Sequence, residues 1–180
     1  AAYQLGGDSA KMFEYGQKAV AADPKNVSTL NLVADGFATS NPPHLDEAAD
    51  YAQKALDLAG AMQKPEGMTD DQFKASRNVA LGLAHTTLGY VAMQKILARG
   101  HPFTALLASN DRSAIGAMQA LAEAGLRVPE DVSLVCLRID PDQDYVVPVI
   151  DGYVPDNTRH TAKLARLAIR YARTGEIGAE

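Results

Sequence analysis

Among its 180 residues the chain has one cysteine, Cys136, so neither an intramolecular disulfide nor a cysteine-based zinc site can form, and a reducing, cytoplasmic location is expected. Positive charge is also in short supply. Lys and Arg number 17 against 22 Asp and Glu, a net charge of -5, and no basic surface argues for direct contact with nucleic acid. No apolar run reaches the roughly 18 residues of a membrane span, and no signal peptide is visible. His44, His85, His101 and His160 lack the close pair spacing of metal sites. Ser133 and Cys136 have no base beside them in a nucleophile motif, and neither paired carboxylates nor a phosphate loop occurs. Binding rather than catalysis is therefore expected, without a cofactor. Asp140, Asp142, Asp144 and Asp151 have calcium-loop spacing, but Pro141 intrudes and Tyr145 stands where glycine is needed; a solvated acidic loop is the expectation.

What is present divides in two near Gln94. At 47% hydrophobic the chain can bury one medium core or two small ones. Up to Lys95 it is Ala-rich and helical in period. Val27, Leu30, Val33, Ala34 and Phe37 recur at helical spacing behind Asn26, a natural N-cap. Ser40-Asn41-Pro42-Pro43-His44 must be an extended connection, because two prolines cannot continue a helix. Thr69 with Gln72 three residues on forms a capping box that opens a long helix to about Lys95.

From Ile96 the period changes. Phe103 to Ser109 is a short apolar run of the kind buried on both faces of a parallel sheet. Asn110 and Asp111 can cap a helix through Ala114, Ile115, Met118 and Leu121 that ends at Gly125, and Val132 to Leu137 is a second strand. A strand, a crossover helix and a strand in so short a span make a βαβ unit. Such a small sheet leaves strand edges open, so self-association is expected.

The first half resembles the tetratricopeptide-repeat family. Met12, Phe13, Tyr15, Gly16, Ala19 and Val20 are matched by Ala48, Tyr51, Ala52, Ala55 and Leu56, with Ala19 and Ala55 in equivalent places and an interval close to that family's roughly 34 residues. By this resemblance Ala19, Ala34, Ala55 and Gly89 let helices approach closely. Leu30, Phe37 and Tyr51 fill the layer between them and are the candidates for protein interaction. Tyr3-Gln4-Leu5-Gly6 reads as the tail of a helix that began earlier.

The second half resembles the effector-binding domain of the lactose/galactose-repressor family, which has the periplasmic-binding-protein fold. The wording that carries this is Phe103-Thr-Ala-Leu-Leu-Ala-Ser-Asn-Asp111, Ala114-Ile-Gly-Ala117 and Leu121-Ala-Glu-Ala-Gly-Leu-Arg-Val-Pro-Glu-Asp-Val-Ser133. A weaker likeness runs on to a terminal helix from about Asn157 to Thr174, whose basic stripe of Arg159, Lys163, Arg166, Arg170 and Arg173 reads as solvated. The resemblance implies that Asp111, with Asn110, contacts a sugar or nucleoside, in keeping with ligands that sit outside the carboxyl ends of sheet strands. It places Arg138 at a second ligand-facing position and implies subunit pairing through the helix that carries Ile115 and Met118.

The expected fold is mainly α with a small α/β part: tetratricopeptide-like helical hairpins over residues 1–95, then an incomplete parallel α/β unit over 96–180. The leading expectation for function is a non-enzymatic interaction scaffold that takes a peptide or protein partner in a helical groove. A sugar- or nucleoside-sensing fragment of a transcriptional regulator, or a join of two unrelated fragments, are the alternatives.

Overall fold

The computed structural model describes residues 9–100, 102–137 and 151–152. Arg138, the acidic loop beginning at Asp140, the terminal helix with its basic stripe and the segment Tyr3 to Gly6 lie outside the described residues. Among the described residues four helices come first: α1 (Ser9–Ala22), α2 (Val27–Ala38), α3 (Leu45–Gly60) and α4 (Asp70–Ala98). Then follow β1 (Ala105–Ala108), α5 (Asp111–Glu123), β2 (Ser133–Cys136) and β3 (Asp151–Gly152). The fold is mostly helical with a small parallel sheet of order β1-β2-β3.

Local chemistry sets the helix ends. Asn26 accepts a hydrogen bond from the Thr29 N–H at 3.0 Å, satisfying a donor that the first turn of α2 leaves free. At α4 the Thr69 hydroxyl accepts from Gln72 N–H while the Gln72 side chain accepts from Thr69 N–H, the reciprocal pair expected of a capping box. Arg77 closes the other end of α3, donating from Nε to the Ala59 carbonyl and from Nη2 to that of Gly60, where the helix dipole favours positive charge. Gly125, at φ +76°, ends α5. Its N–H donates to the Ala122 carbonyl and the Leu126 N–H to that of Leu121, a Schellman closure that needs a left-handed residue.

One apolar core joins the helices to the strand-bearing part. It contains Val20 of α1, Leu30 and Phe37 of α2, Ala48 and Ala55 of α3, Tyr90 and Met93 of α4, Ala117 and Leu121 of α5, and Val132 ahead of β2. Tyr90 adds a polar tie between α4 and α5: its hydroxyl donates to Glu123 at 2.6 Å, and burial with that carboxylate pushes its pKa up to about 12.

Ala105 to Ala108 of β1 pair in parallel with Ser133 to Cys136 of β2, and Val135 and Cys136 pair with Asp151 and Gly152. The inner face of the sheet packs on α5, where Ala108, Leu134 and Cys136 meet Ala114. The expectation of strands buried on both faces is corrected. Leu107 is 61% exposed and Val135 46%, so burial alternates along the strands as in a sheet covered on one face.

Tetratricopeptide hairpins are not confirmed either. Ala19 and Ala55, read as equivalent, lie in opposite settings: Ala19 is exposed and Ala55 fully buried. Gly89 does permit a close helix approach, but to α5 rather than to a neighbouring repeat helix; a Cβ there would lie 2.2 Å from the Ser113 carbonyl oxygen.

Candidate ligand site at the carboxyl end of β1

β1 delivers Ser109, Asn110 and Asp111 to the start of α5. Asn110 takes the capping role, its backbone extended and its side-chain oxygen accepting from Ser113 N–H at 2.8 Å. Asp111 is thereby released from it. Its Oδ1 accepts from the Arg112 N–H at 2.8 Å, while Oδ2 is buried without any hydrogen-bond partner, in a residue only 6% exposed. An unsatisfied buried carboxylate oxygen is costly, and the positive end of α5 offsets only part of that cost. Such an atom is suited to receive a donor from a ligand.

Beside it lies a cavity of about 480 Å³ between α3, α4, β1 and α5. Leu56, Leu88, Met93, Ile96 and Leu106 form apolar walls; Gln53, His85, Ser109 and Ser113 contribute polar groups. Asp111 is not part of the wall but is bracketed by Ser109 and Ser113, which are. A concave apolar site with a few convergent polar groups is the usual form of a small-molecule pocket.

In the sequence His85 is notable only for lacking the close partner of a metal site. Burial lowers its pKa below the ordinary histidine value, with the Asp111 charge pulling in the opposite direction. Because its folded-state pKa is depressed, the unfolded chain binds the proton first. The resulting stability is fully present above about pH 6.5 and is lost as pH falls from there toward the folded-state value. We therefore expect the melting temperature to fall on acidification from pH 7 to 5.5, and His85→Gln to flatten that part of the profile; identical slopes in both proteins would count against a half-buried neutral imidazole.

The other candidates are dispersed. Leu30 and Phe37 are 0% and 1% exposed and Tyr51 is partly buried against the same core, so none lines an open groove. Ile115 and Met118 are half-buried against the sheet cluster around Leu134 and Cys136. The Cys136 thiol is fully buried, and the His44 ring stacks on Phe13 at 3.9 Å. No group of three His, Cys, Asp or Glu suited to a metal occurs among the described residues. No helix among them is long and apolar enough to cross a membrane.

The model of a periplasmic binding protein-like domain matches residues 32–178, crossing the change of character near Gln94. Similar proteins include the probable HTH-type transcriptional repressor ExuR of Bacillus subtilis (strain 168), 43% identical over 60 residues, which are 33% of this chain and 18% of that protein. The HTH-type transcriptional regulator AscG of Escherichia coli (strain K12) is 45% identical over 64 residues, 36% of this chain and 19% of that protein. A longer alignment, with the HTH-type transcriptional repressor MelR of Bacillus subtilis (strain 168), is 28% identical over 131 residues, 63% of this chain and 37% of that protein. The chain thus spans well under half the length of these relatives, and no solved structure matches it. These relatives are transcription regulators by name, not enzymes. Together with the domain match they overturn the reading of an interaction scaffold with a partner in a helical groove, and they lend no support to a join of unrelated fragments. Matched over most of its length, the chain belongs to the periplasmic binding protein-like domain family.

Proposed function

We propose that this chain is the effector-sensing part of a transcriptional regulator of the lactose/galactose-repressor type, binding a sugar or nucleoside at the carboxyl end of β1. The observation that carries the reading is the buried Asp111 Oδ2, unpartnered beside a cavity and positioned where open α/β sheets hold ligands. Ligand hydroxyl or N–H donors would satisfy Asp111, with Asn110 holding the start of α5 in place. Arg138 would supply a second ligand contact. The α/β unit over 96–180 would carry the ligand, and the helices over 1–95 would cover one side of it. Ile115 and Met118 would contribute to a homodimer, to be seen as a doubled mass in light scattering. Contact with DNA in the cytoplasm would fall to a separate basic module, since a net charge of -5 gives this part no attraction for phosphates.

A panel of monosaccharides and nucleosides tests the reading by thermal shift. Ligand at about 100 times its Kd stabilises by roughly 2.7 kcal/mol, a rise of several degrees for a chain of this size. Asp111→Ala is expected to leave the unliganded melting temperature nearly unchanged and to abolish the rise. An equal rise in the variant would move the ligand away from Asp111, and a panel without any stabilising member would sink the proposal.

A further inference from the structure

A second cavity, of about 430 Å³, lies between α2 and the first half of α4. Ser76, Val79, Ala80 and Leu83 face it, on the side of α4 opposite His85, Gly89 and Ala92 of the first cavity, as the helical period of 3.6 dictates. Its polar side chains are Asn31 and Asp35, one turn apart on α2, with the Ser28 and Ser76 hydroxyls. Asn31 is 5% exposed. Its Nδ2 donates to the Ala80 carbonyl at 3.0 Å, which fixes the amide and leaves Oδ1 buried with no partner. The Asp35 carboxylate accepts no hydrogen bond and meets no cation among the described residues, and partial burial raises its pKa above the ordinary range. Among the described residues no Lys or Arg lines the cavity. Leu32, Val79 and Leu83 stand at 58%, 63% and 54% exposure around it.

Two acceptors without donors, one of them anionic, inside an apolar frame call for a ligand with a cationic donor head and an apolar body. We propose that this cavity binds a small amphipathic primary amine, its ammonium donating to Asn31 Oδ1 and the Asp35 carboxylate and its alkyl or aryl body packing on Leu32, Val79 and Leu83. An ammonium has three donors and no acceptor, so one head group carries donors enough for both oxygens. The site is separate from that at Asp111 and does not depend on it.

Isothermal titration of the full chain with 2-phenylethylamine, 2-phenylethanol and phenylacetate tests this. Because charge-assisted hydrogen bonds are the stronger kind, the amine is expected to bind roughly tenfold or more tighter than the alcohol, and phenylacetate weakest. Asp35→Asn, a near-isosteric change at a partly exposed carboxylate that makes no hydrogen bond among the described residues, should bring the amine down to the level of the alcohol. Leu83→Ser should weaken amine and alcohol alike, and Asp111→Ala should change neither. Equal binding of amine and alcohol, binding indifferent to Asp35→Asn, loss on Asp111→Ala, or no binding of the amine would each overturn the proposal.

Discussion

Alanine at Gly116 is expected to destabilise the protein by about 3 kcal/mol or more and to lower its melting temperature by on the order of 10 °C. The added Cβ would lie 1.9 Å from the Thr86 carbonyl oxygen and 2.7 Å from the Tyr90 nitrogen. Both are backbone atoms of α4, so no rotamer change relieves the clash and the two helices must move apart. The site would feel the same movement. α5 carries Asp111, and Ser113 and Ala117 of the same helix line the first cavity. Helix propensity alone makes the opposite prediction, since alanine is favoured over glycine in a helix interior by about 1 kcal/mol. The sign of the change therefore decides the matter. A melting temperature that rises in Gly116→Ala would show that the close crossing of α4 and α5 is not made.

Phe37→Ala is expected to cost about 4 kcal/mol, read as a lower midpoint of urea unfolding with an unchanged slope. Phe37 is 1% exposed, with its ring 4.8 Å from that of Phe13 and 5.7 Å from that of Tyr51, and with Gly16 against its edge. Truncation would open a cavity where α1, α2 and α3 meet, and neighbours held by tilted ring contacts would refill it poorly. A loss of less than about 1 kcal/mol would mean that the ring is not in the core.

The resemblance of residues 96 to 135 to the repressor effector domain pointed to the family and to Asp111, because its motifs follow one another closely along the chain. His85 was missed because its significance depends on α5. It lies far from Asp111 in sequence, and no spacing rule connects a mid-helix histidine to a carboxylate on another helix. The tetratricopeptide reading is not confirmed, for a related reason. Small residues and aromatics at helical spacing occur wherever helices pack closely, and they do not specify which helices those are. Gly89 has the right size for a repeat position and is used instead against Ser113.

Features closed within a few residues follow from local chemistry alone. The Asn26 and Asn110 caps, the Thr69–Gln72 box and the Gly125 closure all appear where the residues predict, because each donor and acceptor lies within five positions of its partner. Tertiary structure alone decided which of Ala19 and Ala55 is buried, that Leu107 and Val135 stand open, and that Asn31 Oδ1 and Asp111 Oδ2 are buried without partners. Burial is a property of what lies across from a residue. That is settled only when α4 packs against α2, α3 and α5, at separations no local pattern encodes.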